Sequence, residues 1–201
     1  MTKRGKGFED CLEICKNTIE KDLSEKLKTV VEAKFLPNDT GNEEIFKDYT
    51  DLMRFVDCDA IEILDYKENP DLLRIEQISE GKSRYFLKFD SLRSNCRVTH
   101  QPDFGDLFVC YESAKLIDYD SLVQYLVSFR SEYHFHEECC EMIFKRLYDL
   151  LNEGDELMVA ALYTRRGGID ITPIRYTKGF VSEDVDKILN LSRFVRCGIK
   201  Q

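Results

Sequence analysis

Residues 83–111 read SRYFLKFDSLRSNCRVTHQPDFGDLFVCY, and both ends of this stretch share one pattern. Large apolar residues recur there at every second position, namely Tyr85, Leu87 and Phe89 before the middle and Leu107, Val109 and Tyr111 after it. A period of two is typical of β-strands with a buried face. The stretch therefore predicts two antiparallel strands joined across a Gln-Pro turn.

The segment between the two strands carries a thiol, Cys96, and a carboxylate, Asp103, seven residues apart. A thiolate can add to an electrophilic carbon, and a nearby carboxylic acid can protonate the atom that gains charge. A cysteine near a strand also serves often as a small buried apolar residue, so a packing role stays open for Cys96. The pairing with Asp103 favours a nucleophile and a proton donor in one pocket.

The chain after this hairpin continues with two helices and two strands. Helical periodicity begins near Asp120 and again near Phe135, and strand periodicity returns at residues 157–163 and 169–173. The predicted order is ββααββ, which is an α+β fold with an antiparallel sheet. Upstream, the pattern predicts an amphipathic helix from Phe8 to about Lys28 and strands at residues 29–36 and 60–64.

Composition excludes several classes of protein. The 201 residues are 43% hydrophobic and carry a formal net charge of −9, so we expect a folded core and no large nucleic-acid surface. No apolar run has the length of a membrane span and no signal segment is visible, so we expect a cytoplasmic protein that binds a small molecule.

The eight cysteines are expected to be reduced and to bind no metal. No pair has the Cys-x-x-Cys spacing of a zinc site, and Cys139 adjoins Cys140, which suits neither a metal site nor a disulfide framework. Cys11 and Cys15 lie at helical spacing among apolar residues, so we expect both to pack into the core.

Two further clusters have both an ordinary and a functional interpretation. His136 and Glu137 open the second helix, where carboxylates commonly stabilise the first turn but can also bind the donor edge of a heterocycle. Arg165, Arg166 and Gly167 belong to a glycine-containing hairpin turn, whose arginines are either solvated or contact a phosphate or carboxylate. Neither cluster is specific by itself.

Taken together, four phrases of the sequence are specific. They are SNC to DFG at residues 94–105, YLVSFR at 125–130, FHE at 135–137 and YTRRGGIDI at 163–171. In this order and spacing they resemble the C-terminal half of the two-module 7-cyano-7-deazaguanine reductases, the nitrile reductases of queuosine biosynthesis. The resemblance is dense from Leu92 to about Tyr176 and weaker upstream.

This resemblance implies a fold, a reaction and residue roles. The fold is the tunnelling fold, or T-fold, whose ββααββ unit matches the predicted order. Cys96 would form a covalent thioimide with the nitrile carbon, Asp103 would donate the proton, and His136 and Glu137 would hold the deazaguanine base. Arg166 and Gly167, with Arg165 beside them, would contact NADPH.

The resemblance also predicts how the chain is organised. Residues 1–80 are expected to form part of an N-terminal module and a linker, and residues 81–201 a complete C-terminal module. The family motif of the type E-S-K-S-F-K-L-Y, which helps to bind substrate and NADPH, has no counterpart here. We therefore expect a homo-oligomer in which a neighbouring chain closes the pocket.

Three functions follow as alternatives. The first is NADPH-dependent reduction of the nitrile to 7-aminomethyl-7-deazaguanine. The second is a related protein that binds a 7-deazaguanine through Cys96 but performs NADPH-independent chemistry, such as an amidine-forming transfer. The third is a non-catalytic binding module.

Overall fold

The structure is a computed structural model that describes residues 8–33, 35, 46–57, 59–63, 65–166, 169–178 and 180. The chain forms two compact units, Met1–Thr40 and Gly41–Gln201. The predicted module boundary between residues 80 and 81 falls inside a strand of the second unit. The division into a partial and a complete module stays a prediction.

The first unit contains helix α1 (Phe8–Leu27), which confirms the predicted helix. The expectation that Cys11 and Cys15 pack into a core is wrong, because both thiols are exposed. Ile19 and Leu23, on the same helix, are also exposed. Helical spacing places apolar residues on one face, but burial also requires a second element against that face, which a local pattern does not supply.

The predicted strand at residues 29–36 is wrong wherever the structure describes it, since residues 29–33 and 35 adopt no strand. The N–H groups of this segment bind side chains of α1 instead of a neighbouring strand. Val31 donates to Ser24 Oγ at 2.9 Å, and Ala33 donates to Glu20 Oε1 at 2.9 Å. Apolar alternation therefore occurs here without a partner strand.

The second unit is an α+β fold built on one sheet, as predicted. Its elements are β1 (Thr50–Asp51), β2 (Ile75–Asn95), β3 (Pro102–Ile117), α2 (Tyr119–Ser128), α3 (His136–Leu150), β4 (Glu156–Arg166), β5 (Ile169–Ile171) and β6 (Ile174–Tyr176). Short 3₁₀ helices span Leu52–Arg54, Pro70–Leu72 and Phe129–Ser131. The order from β2 onward is ββααββ once β5 and β6 are counted as one interrupted strand.

The long β2–β3 hairpin forms the centre of the sheet. Strands β2, β3 and β4 pair antiparallel in that order, and the two-residue β1 pairs parallel to the outer edge of β2. At the turn of the hairpin the register places Ser94 opposite Asp103 and Asn95 opposite Pro102. The register thus brings the beginning of β3 beside the end of β2.

The last edge of the sheet is interrupted at a proline. Both β5 and β6 pair with β4, and Pro173 lies between them. A proline has no N–H to give to a strand ladder. Its carbonyl still accepts the Ala161 N–H at 3.0 Å, so the chain stays beside β4 across the break.

The predicted strand at residues 60–64 is wrong over its described residues, 60–63. Ala60 lies in a turn, where its N–H donates to the Asp57 carbonyl at 3.1 Å. Ile61 and Ile63 pack against the core, and the Glu62 carbonyl accepts a hydrogen bond from Gln124 of α2. The apolar spacing therefore reflects packing beneath α2 and not membership of the sheet.

Both faces of the sheet are covered. Helices α2 and α3 pack on one face, with Leu122, Leu126, Ile143 and Leu147 against Leu107 and Val109 of β3. The other face holds a smaller cluster of Phe46, Phe108, Cys110, Met158, Ala160, Leu162 and Phe180. Strand β3 is consequently buried on both sides over most of its length and lies at the centre of the unit.

None of the described helices is both long and apolar enough to cross a membrane.

A buried carboxylate joins three strands at the end of the sheet where β4 begins. Asp155 Oδ2 accepts a 2.6 Å hydrogen bond from the Ser113 hydroxyl of β3, and Oδ1 lies 2.9 Å from Lys82 Nζ of β2. Burial by itself raises the pKa of Asp155, but the bonds from Ser113, Lys82 and the Asn152 N–H outweigh burial and leave the pKa below its ordinary value.

We predict that Asp155→Asn lowers the free energy of unfolding by about 1–3 kcal/mol near neutral pH, because a buried, charge-assisted cluster loses its charge. The folded pKa lies below the unfolded pKa of about 3.9, so the contribution is present above that value and is lost as the pH falls through the folded pKa. Urea unfolding of both proteins from neutral to acidic pH measures this difference. Asp149→Asn, at an exposed carboxylate paired with Lys145, is the control. Equal losses in the two variants, or a loss that grows with acidity, would contradict the prediction.

Candidate active site

Cys96 directly follows the last residue of β2 and begins the turn of the central hairpin. Its N–H donates to the Gln101 carbonyl at 2.8 Å, and its own carbonyl accepts the His100 N–H at 2.9 Å. His100 adopts a left-handed conformation with φ of 57°, which lets the chain close this short loop. The thiol is therefore held on a closed turn at the end of two long strands.

Asp103 is the second residue of β3 and is 2% exposed. Ser94 pairs with Asp103 across the hairpin. The carboxylate therefore lies in the second residue pair from the turn that carries Cys96. The spacing of seven residues in the sequence thus becomes proximity through strand register. A carboxylate this deeply buried needs a polar partner.

His136, the first residue of α3, is such a partner. Its Nε2 lies 3.2 Å from Asp103 Oδ1, and the residue is 6% exposed. The imidazole stacks on the ring of Tyr163 of β4, with centroids 4.0 Å apart and planes 5° from parallel. The Tyr163 ring and the Asp103 carboxylate therefore both constrain the plane of the imidazole.

The four predicted catalytic and substrate-binding residues, Cys96, Asp103, His136 and Glu137, line one cavity of about 210 Å³. The remaining lining residues are His134, Phe135 and Ile171. Asp103 and His136 are buried in its wall, whereas Glu137 is exposed. The cavity thus combines a thiol, a buried carboxyl–imidazole pair and an accessible carboxylate.

Two buried groups near His136 are uncharged at neutral pH. Burial holds the pKa of Tyr163 well above its usual value, and burial likewise raises the pKa of the Cys139 thiol. Both groups therefore stay protonated at neutral pH. The ionisable groups that remain for chemistry at this cavity are those of Cys96, Asp103, Glu137 and the two histidines.

The predicted cofactor contacts cannot be placed in the same way. Arg165 and Arg166 belong to β4, but their side chains lie outside the described part of the structure, and Gly167 lies outside the described residues altogether. A second cavity of about 400 Å³ adjoins the first, and the two share His134 and Glu137. Its other lining residues are Arg97, Glu138, Glu141, Met142 and Arg175.

Sequence reasoning missed some residues around the cavity. Tyr163 stood inside one of the quoted phrases but was assigned only to a strand, and its stacking on His136 depends on a contact between distant elements. Arg97 follows Cys96 directly, yet nothing in the sequence signals its ion pair with Glu138 at 3.0 Å. Within the described residues no group of three or more His, Cys, Asp or Glu side chains is placed to hold a metal.

In comparisons with known proteins, a family model described as QueF-like protein matches residues 102–179. The chain is 36% identical over 168 residues to the NADPH-dependent 7-cyano-7-deazaguanine reductase of Buchnera aphidicola subsp. Schizaphis graminum. This alignment covers 82% of this chain and 61% of that relative. It is 41% identical over 122 residues to the reductase of the same name from Colwellia psychrerythraea, which covers 60% of this chain and 42% of the relative.

These sequence similarities confirm the resemblance inferred from the four phrases. The chain spans less than two thirds of the length of these relatives. Among solved structures, the archaeosine synthase QueF-Like in the apo form aligns with a TM-score of 0.43 and 15% identity, over 51% of this chain and 99% of that one.

Proposed function

We propose that this chain provides the catalytic centre for NADPH-dependent reduction of the nitrile of 7-cyano-7-deazaguanine to an aminomethyl group. The observation that carries this proposal is the single cavity lined by Cys96, Asp103, His136 and Glu137. The similarity to reductases of this name supplies the substrate. The cavity supplies a role for each residue.

Cys96 is the proposed nucleophile. Its sulfur attacks the nitrile carbon, a C–S bond forms, and one π bond of the nitrile becomes a lone pair on nitrogen that takes up a proton. The product is a thioimide bound to Cys96. The step is balanced, because the thiol loses one proton and the nitrogen gains one.

Asp103 is the proposed donor of that proton, and His136 orients it. The buried carboxyl group bonds to His136 Nε2 at 3.2 Å, so the two groups form one unit that can hold a proton inside the cavity wall. Stacking on Tyr163 prevents the imidazole from rotating away. The proton released by Cys96 restores the pair after the addition.

Glu137 is the proposed anchor of the base. Guanine-like bases present a ring N–H and an amino group on one edge, and a carboxylate accepts both. Glu137 lines the same cavity as Cys96 while remaining exposed, so it is accessible to an incoming base. Base recognition and covalent addition would therefore occur on opposite parts of one planar ligand.

Completing the reduction requires two hydrides and two protons, after which the C–S bond has broken and the thiol is restored. NADPH supplies the hydrides when it is bound. The larger cavity, which shares His134 and Glu137 with the Cys96 cavity, is the proposed position of the hydride donor. Contact of NADPH with Arg165, Arg166 and Gly167, and closure of the cavity by a second copy of the chain, remain parts of the proposal.

We predict that 7-cyano-7-deazaguanine becomes attached to Cys96 alone among the eight cysteines. Cys11 and Cys15 are more exposed than Cys96, so accessibility by itself predicts the opposite order of reactivity. Intact mass followed by peptide mapping measures the adduct. Cys96→Ala should abolish it and Cys15→Ala should leave it unchanged. An adduct in Cys96→Ala, or none in the wild type, would refute the proposed function.

A second prediction concerns the proton donor. Asp103→Asn should slow adduct formation by about 10²- to 10⁴-fold, the usual effect of losing general acid catalysis. Asp103 is not proposed to bind the donor edge of the base. In a Cys96→Ala background, the dissociation constant of the base should therefore be similar with and without Asp103→Asn. Stopped-flow absorbance and calorimetry measure the two quantities. A comparable loss in binding would assign Asp103 to recognition instead.

The base anchor is tested separately. Glu137→Gln should weaken binding of the base by about one to two orders of magnitude, since a charge-assisted hydrogen bond contributes about 1.5–3 kcal/mol. Glu153→Gln removes the same charge from an exposed turn and should leave the affinity unchanged. An unaltered dissociation constant in Glu137→Gln would return this residue to a helix-stabilising role.

A further inference from the structure

The residue before Cys96 is bound tightly to the segment that leads into α3. Asn95 N–H donates to the Glu132 carbonyl at 2.8 Å, and the Asn95 carbonyl accepts the His134 N–H at 3.1 Å. The side chain adds a third link, because Asn95 Nδ2 donates to the Arg130 carbonyl at 3.0 Å. Asn95 is only 7% exposed, so these bonds are shielded from water.

The residue after Cys96 reaches the same segment a few residues later. Arg97 Nη1 lies 3.0 Å from Glu138 Oε1, and Arg97 Nε donates to the Tyr133 carbonyl at 3.4 Å. The guanidinium also lies 5.4 Å from the centre of the Phe135 ring. One side chain thus contacts Tyr133 and Phe135, which precede α3, and Glu138 in the first turn of α3.

Glu138 receives Arg97 in a fixed position. Its other oxygen accepts the Phe135 N–H at 2.8 Å, which places the carboxylate at the start of α3. That hydrogen bond, together with Arg97 and His134, holds the pKa of Glu138 below its usual value, so it is ionised at neutral pH. The ion pair therefore joins the Cys96 turn to the helix start that presents His136 and Glu137.

We infer that Asn95 and Arg97 are positioning residues that fix the position of Cys96 relative to Glu137. They do so by linking both neighbours of the nucleophile to residues 130–138. The inference rests on the proposed function for its chemistry. Cys96 lies on a turn and Glu137 on a helix, and no backbone continuity sets their separation. The backbone hydrogen bonds of Asn95 set it together with the side-chain links of Asn95 and Arg97.

The solvent exposure of the Arg97–Glu138 ion pair indicates that its loss should affect the reaction rate more than the stability of the protein. The Arg97 and Glu138 side chains are 49% and 37% exposed, and pairs this accessible contribute little to stability. Alignment of reacting atoms is far more sensitive, since a misplacement of about 1 Å can reduce a rate by about 10²-fold. Removing the Arg97 links should therefore slow the reaction without unfolding the protein.

The test measures adduct formation with 7-cyano-7-deazaguanine in Arg97→Met. At saturating base the rate constant should fall by about ten- to a hundredfold, on that sensitivity. The dissociation constant, measured in a Cys96→Ala background, should not change. Arg84→Met is the matched control, because Arg84 is 36% exposed and pairs with Glu112 and Glu156. A wild-type rate in Arg97→Met, or an equal loss in Arg84→Met, would overturn the inference.

Two further variants separate alignment from charge. Arg97→Lys keeps the charge but not the planar fork, so it should recover only part of the rate. Glu138→Gln combined with Arg97→Met should slow the reaction no more than Arg97→Met alone, because the ion pair is already lost and a glutamine at position 138 can still accept the Phe135 N–H. Additive losses, or full recovery by lysine, would contradict a positioning role for the Arg97 fork.

A measurement without ligand keeps this inference distinct from the proposed function. Hydrogen exchange of the amides at residues 95–101 should be faster in Arg97→Met than in the wild type and unchanged in Arg84→Met. If the wild type forms no adduct, the proposed function fails, and hydrogen exchange alone then tests whether Arg97 holds the Cys96 turn in place. Unchanged exchange in Arg97→Met would overturn the positioning role of Arg97.

Discussion

The pairing of β2 with β3 sets the positions of the residues around the cavity. It places Ser94 opposite Asp103 and closes the turn that begins at Cys96. A shift of one residue in a strand turns every side chain to the other face. Such a shift would move Asp103 out of reach of His136 and exchange the two buried faces of β3. Burial on both faces therefore holds the register that the site requires.

The start of α3 is the second part of the site, and its position depends on the hairpin. Asn95 binds Glu132 and His134 through its backbone, so the residues before α3 run alongside the end of β2. This places His136 over Tyr163 and against Asp103. The strand and the helix are distant in the sequence, and the cavity exists only where these contacts join them.

Burial distinguishes the two carboxylates at the cavity and supports the different roles proposed for them. Asp103 is enclosed and shares a contact with an imidazole, which suits a group that moves a proton. Glu137 is accessible and adjoins the larger cavity, which suits a group that accepts hydrogen bonds from an incoming ligand. The chemical types are the same, and the surroundings distinguish them.

Elements whose signals are local can be predicted from the sequence. Periodicity predicts helices α1, α2 and α3 and the β2–β3 hairpin. The turn predicted between the two strands also indicates that Cys96 and Asp103 lie near each other. The strands predicted at residues 29–36 and 60–64 are absent wherever the structure describes these residues, because apolar alternation does not reveal whether a partner strand is present. Three features are visible only in the folded protein: the stacking of Tyr163 on His136, the link from Arg97 to Glu138 and the exposure of Cys11 and Cys15. Each of these features depends on which element, distant in the sequence, packs beside the residue. A local sequence pattern carries no information about such packing.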